Sequence, residues 1–280
     1  MTKNIIQQRL EWYNCLSQQD EENALREITQ EVALLALSRA GFFKKACFHG
    51  GTCLRIFYGL QRFSEDLDFA LLKIDPKFQI NEYLNSLEEI FKIYDYEIEI
   101  IDKSKESNVQ KIFIKEDSIG QSLVLNYPKI SSKPKSIKIK FEVDINPPSG
   151  ADCQNAFHNF PTAFSVAAYD LPSLYAGKLH ALLCRDYVKG RDWYDFLWYL
   201  MQKISINYNL LENFLFQMGP YANKEIKVNQ VWLKIELIKK INSLNWKAVG
   251  EDVIRFLKPI EQESVKLWSA DFFLYALKRF

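Results

Sequence analysis

The chain is predicted to fold as an α+β protein, with a mixed sheet flanked by helices and then a mostly helical C-terminal half. Three observations carry this. Leu25, Ile28, Val32 and Leu35 recur at helical spacing over residues 22–37. Residues 137–145 alternate strictly: Ile137, Ile139, Phe141, Val143 and Ile145 fall on one side, and Lys138, Lys140, Glu142 and Asp144 on the other. From Leu171 onward, helical patterns follow one another with few strand patterns between them. At 280 residues, 48% hydrophobic and 14% aromatic, the chain can bury a substantial core.

Taken in order, residues 5–38 read as helical, and Gly41 is a fitting stop. Residues 42–48 lead into Gly50-Gly51, after which 52–58 reads as a short helix. Residues 67–72 form the first clear strand, because Leu67 and Phe69 alternate with Asp66 and Asp68. A helix over 80–93 buries Tyr83, Leu84, Leu87, Ile90 and Phe91. Strands are expected over 96–101, 109–115 and 122–127, with a polar turn over 102–108 and a basic loop over 131–136. Asn146-Pro147-Pro148-Ser149-Gly150 stops the strand over 137–145. Helices are expected over 172–185, 192–201, 210–218, 231–241, 246–256 and 268–277. The predicted domains are N-terminal helices (1–40), a sheet-bearing core (41–165) and a helical C-terminal domain (166–280).

The net charge of +1, from 36 basic and 35 acidic residues, argues against a globally basic nucleic-acid binder. Local Lys-rich segments over 133–140 and 234–240 leave room for an RNA backbone. Five cysteines without a paired spacing argue against a disulfide framework and a structural zinc site. The sequence carries neither a signal-peptide apolar core nor a membrane-length apolar run, so no membrane partner is expected and a reducing cytoplasm is the predicted location.

The chemistry-bearing segment is His49-Gly50-Gly51-Thr52-Cys53-Leu54-Arg55, followed by Arg62-Phe63-Ser64-Glu65-Asp66-Leu67-Asp68-Phe69. Alternation puts both aspartates on one strand face, where a divalent cation relieves their repulsion. Gly50 and Gly51 supply backbone N–H groups approachable without a Cβ, and Thr52 a hydroxyl, as phosphates require. A helix opening there adds its positive end. Taken alone, an Asp-Leu-Asp is more often a solvated strand face and a Gly-Gly a plain turn. The combination with a second acidic strand points to metal-assisted phosphoryl or nucleotidyl transfer. A second metal needs a further carboxylate, and Glu142 and Asp144 both qualify because they share a face. Arg62 is a candidate phosphate contact, and Arg55 serves either phosphate or an acid of the core. His49 is read as packed, Cys53 as a small buried residue, and Trp193-Tyr194 and Trp198-Tyr199 as helical core.

The run from Gly50 to Asp68, with a distant acidic strand, resembles the DNA-polymerase-β-like nucleotidyltransferase superfamily, and more narrowly the AbiEii/AbiGii toxin family. Leu174-Tyr-Ala-Gly-Lys-Leu-His-Ala-Leu182 and Lys189-Gly-Arg-Asp-Trp-Tyr-Asp-Phe196 are similar to that family's Lys-containing and Arg-Asp-x-Tyr-Asp helices. The resemblance spans about residues 49–200. It implies a polymerase-β-like core and favours Glu142 as third acid, with Asp66, Asp68, Glu142 and Asp144 as the metal-ligand candidates. It gives Lys178 a role against triphosphate charge and Asp192 a place at the site. Asp195 stays open between catalytic and structural roles, and an Arg191–Asp192 ion pair is the structural alternative for Asp192. The catalytic set is thus Asp66, Asp68, Glu142, Lys178 and Asp192, and the nucleotide-binding set Gly50, Gly51, Thr52, Arg62 and Lys178. The resemblance further implies two Mg²⁺ ions, a nucleoside triphosphate substrate, a tRNA acceptor for related members, and the toxin's part in a type IV toxin–antitoxin or abortive-infection system with a cognate antitoxin. The alternatives are transfer to a protein or small molecule, metal-dependent phosphohydrolysis, and a non-catalytic binding protein.

Overall fold

The computed structural model describes residues 5–102, 118–126 and 136–280. The strand expected over 109–115, the polar turn beyond Asp102 and the basic loop before Ser136 lie outside the described residues. Helix α1 (Ile5–Trp12) is followed by α2 (Gln18–Arg39). Ser17 caps α2 by accepting a hydrogen bond from the Asp20 N–H at 3.1 Å. Past its C-terminus Gly41 adopts φ 77°, a left-handed conformation that glycine takes without steric cost.

The next elements are β1 (Ala46–His49), α3 (Gly50–Tyr58), β2 (Asp66–Leu71), a 3-10 turn over Ile80–Tyr83, α4 (Leu84–Ile93), β3 (Glu97–Asp102), β4 (Ser118–Asn126), β5 (Ser136–Asp144), β6 (Cys153–His158) and β7 (Phe164–Tyr169). They build a seven-stranded mixed sheet of order β3-β4-β5-β2-β1-β7-β6. β2 pairs antiparallel with β1 and parallel with β5. Alternation predicted no strand over 153–169, yet β6 and β7 lie there. β6 ends the sheet and leaves Gln154, Asn155 and Phe157 exposed, so it carries no buried apolar period.

Helices α5 (Leu171–Cys184), α6 (Gly190–Gln202), α7 (Tyr208–Gln217), α8 (Gln230–Ser243), α9 (Trp246–Ile254), α10 (Pro259–Val265) and α11 (Ala270–Ala276) complete the chain. Asp170, Asn207, Asn229, Asn245 and Ser269 cap five of them by accepting from first-turn N–H groups. The short α10, opened by Pro259, was not anticipated.

The chain divides into two compact units. One comprises Met1–Gly59, Phe63–Pro147 and Cys153–Ala168, the other Leu60–Arg62, Pro148–Asp152 and Tyr169–Phe280. In the first, Phe69 of β2 packs its ring 4.9 Å from Phe42 and 5.2 Å from Phe48. In the second, Trp246 and Phe273 stack at 4.1 Å with Trp193 edge-on at 5.0 Å from Trp246, so Trp193 is core as expected. Gly190 lets α6 approach α9 closely: a Cβ there would collide with the Val249 carbonyl oxygen, and the Gly190 N–H donates to Asp252 at 2.7 Å.

One expectation is overturned. Cys47 and Cys153 form a disulfide, with Cα atoms 6.6 Å apart. They are 106 residues apart in sequence, so only the folded sheet makes them neighbours. Among the described residues no helix is long and apolar enough to cross a membrane.

Candidate active site

In the sheet-bearing unit, Leu67 and Phe69 are buried, and Asp66 and Asp68 on the opposite face of β2 are half-buried. Strand register decides what faces them. Asp68 pairs with His49 on β1 and with Glu142 on β5, while Asp66 pairs with Lys140. Partners in register point the same way, so Asp66, Asp68, Lys140 and Glu142 occupy one patch of sheet. Asp144 pairs with Ala70, one repeat farther along, and accepts from the Asn146 N–H at 3.1 Å.

Helix α3 begins at Gly50 with no side-chain cap from His49, so its positive end lies next to this row. Gly50 has φ 80°, and a Cβ there would collide with the Asp68 carboxylate. Gly50→Ala is therefore expected to strain the backbone and push Asp68 out of place. The loss should be about 1–3 kcal/mol of stability, seen in thermal melts, with a larger proportional loss of activity. A variant that melts and turns over like the wild type would show the fit to be loose.

The Thr52 hydroxyl departs from expectation. Thr52 is fully buried and donates to the main-chain carbonyl of Asp66. Its side chain ties α3 to β2 instead of facing a phosphate, because a buried hydroxyl must find a partner within the fold. Cys53 is buried as expected, and burial first, then the Asp68 charge, push its thiol well above the ordinary value. Arg55 takes the structural option, bonding Glu27 at 2.7 Å.

The Glu142 carboxylate bonds the Lys140 ammonium. Burial opposes the lysine's charge, but Glu142, then Asp66 and Asp68, outweigh it and raise its pKa. Among the described residues, no three His, Cys, Asp or Glu side chains form a ready-made metal group. The donor set still suits Mg²⁺, with hard oxygen ligands on two adjacent strands and in register. Lys140 was missed as a site residue, although its place two positions before Glu142 puts it on the same strand face.

The helical unit holds a separate charged cluster. Arg62, 2% exposed, grips Asp195 through Nε and Nη2, each at 2.6 Å. This corrects the expectation that Arg62 meets phosphate: its guanidinium is buried and already paired. Lys178 bonds Asp192 at 2.6 Å and Asp195 at 2.8 Å, and Arg185 also bonds Asp192. Lys178 and Arg185 are thus partners of Asp192. Burial alone would raise its pKa, but Lys178 and Arg185 hold it below the usual carboxylate range. Arg185 was not foreseen, and nothing in its spacing marks it. Lys178, at 14% exposure, keeps some access to solvent.

No curated protein matches the chain significantly. The crystal structure of JHP933 from Helicobacter pylori aligns over 95% of this chain and 96% of that one, at 17% identity and a TM-score of 0.50, a likeness of fold. A second crystal structure, of a candidate nucleotidyltransferase from H. pylori, aligns over 94% and 98% at 16% identity and a TM-score of 0.46. The family model of the nucleotidyl transferase AbiEii toxin of type IV toxin–antitoxin systems matches residues 32–274, taking in both the carboxylate face and the Lys178 cluster. The chain therefore belongs to the AbiEii family of nucleotidyltransferase toxins.

Proposed function

We propose that this enzyme transfers a nucleoside monophosphate from a nucleoside triphosphate to an acceptor hydroxyl at the end of a tRNA, with Mg²⁺ as cofactor and under the control of an antitoxin. The observation that carries metal-dependent transfer is the register of β1, β2 and β5, which lines up Asp66, Asp68 and Glu142 beside the N-terminus of α3; the acceptor and the antitoxin are proposed from the family.

Asp66, Asp68 and Glu142 would hold the metal, with Asp144 secondary because it lies opposite Ala70. Bound there, Mg²⁺ supplies charge neutralisation for the phosphates and acidifies the attacking hydroxyl. Gly50 and Gly51 offer main-chain N–H groups and the helix's positive end to the phosphates. Lys178 is the proposed phosphate-facing cation of the helical unit. Its cluster sets three cations, Arg62, Lys178 and Arg185, against two carboxylates, Asp192 and Asp195, which leaves positive charge in excess. Asp192 would orient Lys178.

Incubation with each labelled nucleoside triphosphate, Mg²⁺ and either total RNA, protein or no acceptor tests the reading. Label on tRNA is the expected result. Label on protein or on a small molecule would replace the acceptor, release of free phosphate would indicate hydrolysis, and no turnover of any triphosphate would overturn the reading.

A further inference from the structure

Three carboxylates on one patch of sheet repel one another, and a basic side chain on the same face offsets that repulsion beyond what solvent does. We propose that Lys140 is that resident counter-ion: it holds Glu142 in the metal-free protein and is released toward substrate phosphate when a divalent cation takes the carboxylates. The inference rests on the metal-binding reading above.

Its basis is geometric. Lys140 sits opposite Asp66 in the β2–β5 register, and Glu142 sits opposite Asp68. The ammonium therefore lies on the strand face that carries all three acids, and it bonds the acid that the metal would need. Neither partner is locked in place. The side chain of Lys140 is 49% exposed and that of Glu142 35%, so both can change rotamer without disturbing the core. An exposed pair of this kind contributes little to folding, so its consequence is for what else binds the same carboxylate. A flexible four-carbon stem lets the freed ammonium swing to a neighbouring anion. Lys138 offers an internal comparison: it lies on the same strand face, one repeat farther from the acids, and is exposed.

Removing this cation from the site should improve metal binding. Mn²⁺ alone is titrated into the full-length protein without nucleotide, and free Mn²⁺ is followed by electron paramagnetic resonance. Lys140→Met is expected to lower the Mn²⁺ Kd by on the order of fivefold, the upper range for an exposed charge pair. Lys140→Arg and Lys138→Met should stay near the wild type. With Mn²⁺ saturating, Lys140→Met should bind a non-hydrolysable triphosphate more weakly than the wild type. Thermal melts confirm that each variant is folded. An unchanged or raised Mn²⁺ Kd in folded Lys140→Met, with binding lost in Asp68→Asn, overturns the counter-ion role and leaves the metal site standing. Wild-type Mn²⁺ binding in both Asp66→Asn and Asp68→Asn overturns the metal site, and this inference with it.

Discussion

Asp68→Asn is expected to lower nucleotidyl transfer by at least about 10²–10³-fold, the scale of losing one preorganised electrostatic group. The melting temperature should move by no more than about 3 °C, as for a change outside the core. Asp68 is half-buried at the centre of the row His49–Asp68–Glu142, so its charge is aimed at whatever binds that face. Its packing role is to fit against Gly50, and Asn preserves that shape. Removing one of several like charges from that face should not weaken the fold, whereas a divalent cation held there as proposed would lose a ligand. Labelled-triphosphate transfer and thermal melts on the same preparation decide the matter. A folded Asp68→Asn enzyme with wild-type turnover in Mg²⁺ would remove Asp68 from the chemistry.

Asp195→Ala should behave in the opposite way, losing stability first. Asp195 is fully buried and accepts from both Arg62 and Lys178. Its removal strands a guanidinium that is only 2% exposed. Breaking one side of such a buried pair typically costs about 3–5 kcal/mol, or roughly 10 °C in a protein of this size. Lys178→Met is the informative contrast. It leaves Asp195 with Arg62 and Asp192 with Arg185, so the stability loss should be well below that of Asp195→Ala. If Lys178 meets substrate phosphate, its loss appears as turnover and not as melting temperature. Denaturant titration of both variants checks this. An Asp195→Ala protein within about 1 kcal/mol of the wild type would fall outside the buried-pair range, and water would then have to reach Arg62.

Much of this was legible because it is written in short-range periodicity. Alternation across Asp66–Phe69 and Ile137–Asp144 set which side chains share a face before any strand was paired. Spacing by threes and fours located the helices now seen as α2, α4 and the main helices of the C-terminal half, usually within two residues. The motifs around Gly50, Asp66, Lys178 and Asp192 were enough to suggest the family.

Pairings distant in sequence were a different matter. Register put Glu142, and not Asp144, beside Asp68, because β2 and β5 run parallel with one particular offset that no local pattern encodes. Burial turned Arg62 and Thr52 from ligand candidates into structural residues: a guanidinium or hydroxyl removed from water must find its partner inside the fold, and Arg62 found one 133 residues away. The Cys47–Cys153 bond and the exposed edge strand β6 belong to the same class. The sequence alone determined which faces are apolar and which carry charge, since that follows from backbone geometry acting on near neighbours. Only the tertiary structure decided which charges meet, because desolvation and strand register depend on residues that the chain brings together only when it folds.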